Sequence, residues 1–168
     1  MRFLFFLLFL LIFNNLFCQI TIFSCNEFGI KDLRAAIIIS GNKFYTCDEN
    51  GIKDFYPIRQ IKENKIFKCN ESGFSDFQPN FFHENGKIYV CNEFGMKNFN
   101  PLGVFENGKF YLCNEFGTKN FNPSLSFENN KVFLFDEYGI KGFYPSFIIE
   151  GGVSQIELIL LIERLGLI

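Results

Sequence analysis

The chain has 168 residues, 26 of them Phe and none Trp, with 16 Lys and Arg against 18 Asp and Glu. That balance excludes the basic footprint of a nucleic-acid-binding domain, and the charges are spread along the chain in the manner of a solvated face. The length suits one domain, and no phosphate loop, Ser-His-Asp set or zinc-ligand spacing is present.

The first element is a targeting segment. Arg2 supplies a positive start, Phe3 to Phe13 is an unbroken apolar run, and Asn14-Asn15 ends it before Leu16-Phe17-Cys18-Gln19. This pattern predicts a secretory signal peptide over residues 1–18, cleaved before Gln19. The rival is a lipid-modified Cys18, disfavoured by bulky Phe17. An uncleaved anchor over Phe3 to Phe23 would bury Asn14-Asn15 in mid-membrane.

Residues 19–152 are a tandem repeat. The anchor Cys-(Asn/Asp)-Glu-x-Gly starts at Cys25, Cys47, Cys69, Cys91 and Cys113, and again at Phe135, always 22 residues on. So regular a period marks a repeat architecture. Glu27, Glu49, Glu71, Glu93, Glu115 and Glu137 form one invariant column, and Gly29, Gly51, Gly73, Gly95, Gly117 and Gly139 another. Leu33, Phe55, Phe77, Phe99, Phe121 and Phe143 form a third, followed two residues later by Pro in all but the first copy, where Ala35 stands.

Asn-Glu-x-Gly predicts a turn in which the Asx side chain caps its own backbone and Gly takes a positive φ. A second turn, Asn85-Gly86 or Asn107-Gly108 at its clearest, is the strongest short hairpin signal. Between the turns lies a short strand such as Phe110-Tyr111-Leu112-Cys113. After the Gly comes a longer arm, for instance Thr118 to Glu128, read as two short strands joined by a kink at Pro123. The expected fold is all-β: six tandem hairpins in an elongated or spiralling array, with an atypical first copy as a cap.

The period fails after Gly152. Ser154-Gln155-Ile156-Glu157 reads as a capping box, and the apolar run to Leu165 predicts a helix over about 155–165 inside a C-terminal unit of residues 153–168. The column before each anchor, Ser24, Thr46, Lys68, Val90, Leu112 and Leu134, is polar early and apolar late. This predicts that Ile156, Ile159, Leu160 and Ile162 cap the open edge of the sheet near repeats four to six. Contact of that helix with a membrane surface is the rival reading.

Among candidate functional residues, the aromatic ladder Phe23, Tyr45, Phe67, Tyr89, Tyr111 and Phe133 is a core row on the simpler reading and a binding ladder on the sharper one. Five repeat cysteines cannot all pair, and equivalent positions in successive hairpins lie two strands apart, roughly 9.5 Å, so free thiols are expected. Six equal Glu residues at turn positions argue against a single acid–base site, and His83 has no partner motif. No catalytic, cofactor-binding or metal-ligating residue is assigned.

Asn107-Gly108-Lys109-Phe110-Tyr111-Leu112-Cys113-Asn114-Glu115-Phe116-Gly117, with Pro123 six residues on, resembles the WG repeat of bacterial proteins. The Trp-Gly pair that names that family is replaced by Phe110-Tyr111. The same residues are also similar to choline- and cell-wall-binding repeats, whose cages rely on Trp. Both resemblances imply tandem β-hairpins and an exported or surface role, and neither carries over a binding residue. The expected function is that of a secreted, periplasmic or cell-surface repeat protein, not an enzyme, binding a protein or glycan of the envelope and no nucleic acid. An enzyme with an unrecognised site and a purely structural envelope component are the alternatives.

Overall fold

The computed structural model describes residues 19–168. The signal segment and Cys18 lie outside the described residues. Each repeat forms as its turn chemistry dictates. Asn26 Oδ1 accepts the N–H groups of Phe28 and Ile30 at 3.0 Å each, and the equivalent Asn or Asp does the same in the later copies. The Gly that closes each of these turns has φ between 73° and 78°. Asn85-Gly86 and Asn107-Gly108 carry positive φ at both positions, as a tight hairpin requires.

The strands are β1 (Gln19–Ser24), β2 (Ile37–Ser40), β3 (Lys43–Thr46), β4 (Arg59–Lys62), β5 (Lys65–Lys68), β6 (Phe81–Glu84), β7 (Lys87–Val90), β8 (Gly103–Glu106), β9 (Lys109–Leu112), β10 (Leu125–Glu128), β11 (Lys131–Leu134) and β12 (Phe147–Glu150). All twelve pair antiparallel with their neighbours, and β1 pairs with β12, so the sheet closes into a barrel. The chain is therefore β-rich with hairpin repeats as expected, but the open or spiralling array is corrected to a closed ring. Closure leaves no edge for strand addition. The arms are corrected too: only their second halves are strands, and the first halves touch the sheet through single bridges such as Cys113 to Lys119.

The seam is built like every other hairpin. Within a hairpin, Ile37 faces Thr46 and Ser40 faces Lys43. At the seam, Phe147 faces Ser24 and Glu150 faces Thr21, the same register displaced by six periods. β12 thus takes the outer-strand position beside β1. The first and last strands make one hairpin without a covalent turn.

Side chains alternate between lumen and outer wall. Ile20, Ile22, Ile37, Ile39, Phe44, Ile61, Ile66, Ile88, Phe110, Leu125, Val132 and Ile149 point inward and are buried. Eight strands are about the limit that inward side chains can fill alone, so a twelve-stranded lumen needs a plug. Helix α1 (Gln155–Arg164) is that plug. Its residues Leu158, Ile159, Leu160, Leu161 and Ile162 are consecutive, and all are buried in one cluster with the inward strand residues. Five consecutive buried positions cover every side of a helix, the mark of an element surrounded by protein. A helix of 10 residues is about 15 Å long and a four-residue strand about 13 Å, so one helix spans the lumen.

The expected edge cap is thus corrected to an axial core. The helix forms where the sequence predicts it, but the barrel has no edge for it to cover. Leu112 and Leu134 pack against the cluster that contains the helix, which accounts for the apolar late half of their column. The apolar residues that a membrane-surface helix would need are enclosed by the strands.

At its N-terminus, Glu157 Oε2 accepts the Ser154 N–H at 2.7 Å and the Ser154 hydroxyl at 2.8 Å. Two polar contacts then fix its rotation. His83 Nε2 lies 3.2 Å from Gln155 Oε1, and Arg59 pairs with Glu163, its Nε donating at 3.0 Å. Since His83 precedes the tight turn and Arg59 follows the long loop, α1 enters at the turn end and finishes at the loop end.

Candidate binding rim

The ladder Phe23, Tyr45, Phe67, Tyr89, Tyr111 and Phe133 stands on the outer wall and not in the lumen. Each ring lies under a lysine ammonium: Lys31 at 4.3 Å, Lys53 at 4.4 Å, Lys62 at 4.9 Å, Lys97 at 4.5 Å, Lys119 at 4.6 Å and Lys141 at 4.0 Å from the respective centroid. Such cation–π contacts contribute about 0.5–1 kcal/mol each when exposed. Four of these lysines also pair with a wall carboxylate: Lys31 with Glu150 at 2.5 Å, Lys97 with Glu84 at 2.5 Å, Lys141 with Glu128 at 2.6 Å, and Lys119 with Glu106. Hydrogen bonding to Glu84 raises the Lys97 ammonium above its ordinary range.

The third copy reverses the arrangement. Ser75 takes the lysine position and Lys62 the glutamate position, and Lys62 Nζ donates to Ser75 Oγ at 2.8 Å while still covering Phe67. One cation per ring is kept although its source changes.

The six long loops form a rim at the other end of the barrel from the tight turns. They lock together around the circle. A Cβ on Gly73 would lie 2.9 Å from Pro57 of the preceding copy, and one on Gly29 would lie 2.9 Å from Pro145 across the seam. Asn100 Nδ2 donates to the Glu115 carbonyl at 2.8 Å, and Arg34 Nη1 to the Glu49 carbonyl at 2.9 Å.

What this locked rim displays is apolar. Leu33, Phe55, Phe77, Phe99, Phe121 and Phe143 are between 85 and 100 % exposed. Phe28, Phe94, Phe116 and Tyr138 stand exposed beside them, as do Ile30, Ile52, Phe74, Met96 and Ile140. Phe rings bury about 150–250 Å² each when covered, so the five Phe tips alone amount to on the order of 1,000 Å². Patches beyond a few hundred Å² on a soluble domain mark interaction sites. The row is visible in the sequence as the residue two before Pro. Its exposure was not, because an aromatic at a strand end reads equally well as core.

Clefts separate adjacent rim loops. One of about 730 Å³ lies between Phe77-Gln78-Pro79 and Cys91-Asn92-Glu93. A second of about 410 Å³ repeats it between Phe99-Asn100-Pro101 and Cys113-Asn114-Glu115. A third of about 380 Å³ lies across the seam, between Phe143-Tyr144-Pro145 and Cys25-Asn26-Glu27. Each combines an exposed aromatic, a proline, a thiol and a carboxylate.

Cys25, Cys47, Cys69, Cys91 and Cys113 are free thiols. Burial pushes all five above the ordinary thiol range, which keeps them protonated and weakly nucleophilic. The six rim glutamates are exposed. Among the described residues no group of three His, Cys, Asp or Glu is arranged to hold a metal ion, and no helix is long and apolar enough to cross a membrane. No protein-family model matches the chain, and no curated protein matches it either.

Proposed function

We propose that this chain is an exported, non-catalytic binding module that engages a protein or glycan of the cell envelope through its loop rim. The observation that carries the reading is the ring of six nearly identical, almost fully exposed apolar side chains, held in place by loops that interlock around a closed barrel. A rigid scaffold presenting variable loops at one end is a common way to build a recognition surface. Export is supported by the apolar segment after Arg2. Six equal loops favour repeated weak contacts over one reaction centre.

The test compares the mature protein, starting at Gln19, with a Phe77→Ser/Phe99→Ser/Phe121→Ser variant on a glycan array and in pull-downs from an envelope fraction. Rim-dependent capture supports the reading. Turnover on a substrate panel, lost on changing a single repeat, favours an enzyme. Equal capture by both proteins removes the rim from the account.

A further inference from the structure

We propose that the rim receives a basic, apolar-rich segment of a partner protein, in which Lys or Arg alternates with large hydrophobic residues. This rests on the rim being the binding face and names the chemistry of its occupant. Apolar surface alone would accept lipid, glycan, a second copy or a peptide. The charge arrangement chooses among them.

The rim carries Glu27, Glu49, Glu71, Glu93, Glu115 and Glu137, one per loop and all exposed. The lysines of the same loops do not neutralise them. Lys31, Lys97, Lys119 and Lys141 turn away to the outer wall, where each sits over an aromatic ring and against Glu150, Glu84, Glu106 or Glu128. In the third loop Ser75 replaces the lysine altogether. Apart from Arg34, which stays on the rim against Asp32 and the Glu49 carbonyl, the loop cations are spent on the wall, and the aromatic tips are left among carboxylates.

That combination selects its occupant. Anionic lipid is repelled by it. A second copy meeting rim to rim would set six glutamates against six. A Lys or Arg side chain suits each cleft: its methylenes lie along the Phe-x-Pro wall, and its charged head reaches the Glu of the next loop. Phe99 with Glu115, and Phe143 with Glu27, line two of these clefts. Large hydrophobic residues between the basic ones cover the aromatic tips. Because the clefts recur around the ring, one segment engages several at once, and weak contacts combine into useful affinity.

The experiment uses the mature protein and four probes: a peptide of alternating Lys and Leu, its Glu-Leu and Lys-Ser counterparts, and phosphatidylcholine vesicles with or without phosphatidylserine. Binding is followed by fluorescence anisotropy and, for vesicles, by co-sedimentation. The Lys-Leu peptide binds and weakens with added salt, while the Lys-Ser and Glu-Leu peptides bind at least about tenfold more weakly. Phe77→Ser/Phe99→Ser/Phe121→Ser and Glu93→Gln/Glu115→Gln/Glu137→Gln each lower affinity at least about tenfold. All six positions are exposed, so the melting temperature stays unchanged; the salt dependence of the unaltered protein gives an independent readout. Equal binding of the Glu-Leu peptide, or no effect of the glutamine variant, overturns the basic partner. If the serine variant still loses envelope or glycan capture in that case, the rim remains a binding face for another ligand. Vesicle binding that depends on the rim phenylalanines and ignores every peptide assigns the rim to lipid and overturns the proposal.

Discussion

Lys31 Nζ lies 2.5 Å from Glu150 Oε1, joining the first repeat to the last strand. The same column pairing recurs as Lys97 with Glu84, Lys119 with Glu106 and Lys141 with Glu128, within continuous chain. The seam therefore repeats the ion pair of the interior, although Glu150 faces Thr21 where Glu84, Glu106 and Glu128 face lysines. As an exposed pair it adds little stability, but it reports that the ring has closed in the register of the repeat.

The backbone at the seam is more demanding than the ion pair. Gly29 has φ +73°, and a Cβ there would meet Pro145 and Tyr144 at 2.9 Å. Gly41 has φ +57° with nothing nearby. Gly29→Ala should destabilise by about 2–4 kcal/mol, from backbone strain plus collision, and Gly41→Ala by about 1 kcal/mol, from strain alone. Urea unfolding of the two variants measures the difference, and equal losses would mean that the seam does not pack as described.

Arg59 and Glu163 are the ionic contact between wall and plug, with side chains only 18 and 22 % exposed. Glu163→Ala strands a part-buried guanidinium and should cost about 2–4 kcal/mol. Arg59→Met with Glu163→Met removes both charges and should recover most of that loss. A double-mutant cycle by chemical denaturation checks this; additive effects would show that the pair does not form.

The plug itself holds the barrel together. Burying Leu158, Ile159, Leu160, Leu161 and Ile162 contributes roughly 10 kcal/mol before ordering costs. Deleting residues 153–168 should abolish the cooperative transition and cause aggregation, because it empties a lumen that strands cannot fill. A truncated protein that stays monomeric with an unchanged melting temperature would remove the helix from the core.

Much of this was legible in the repeat. The turn positions followed from Asn and Gly, and the helix from Ser154, Glu157 and the apolar run after them. Closure was not legible, because each copy carries the local hairpin but not the accumulated tilt and twist that decide whether six of them meet. Nor could the faces be told apart. In Phe44-Tyr45, Ile66-Phe67 and Ile88-Tyr89, both the lumen and the wall residue are large and apolar, so alternation by hydrophobicity vanishes. The aromatic ladder is buried at Phe67 and Tyr89 and half-buried in the other copies, but it lies under its lysines and apart from the lumen cluster. The helix did carry a sign of its position: an apolar run covering all its sides is written for complete enclosure.

His83 offers a pH test. Burial depresses its imidazole below the ordinary value of 6.5, against a smaller opposing effect of the Gln155 contact. The unfolded chain therefore takes up a proton that the folded protein refuses. The His83 contribution is fully present above pH 6.5 and is lost as the pH falls below it towards the depressed folded-state value. Glu128, whose carboxyl is held below its ordinary value of 4.5 by Lys141, loses its contribution only at lower pH. His83→Gln should flatten the upper part of the profile and leave the lower part intact, as read from melting temperatures across the range.

The most direct test of the closed ring uses the unaltered protein. A zero-length carbodiimide couples an ammonium to a carboxylate only when the two are in contact, and Lys31 and Glu150 are separated by most of the chain. Peptide mapping of the coupled monomer should find an isopeptide bond between Lys31 and Glu150 at a yield like that between Lys97 and Glu84. Coupling of Lys97 to Glu84 with none between Lys31 and Glu150 in the monomer would mean an open array, and would contradict the barrel.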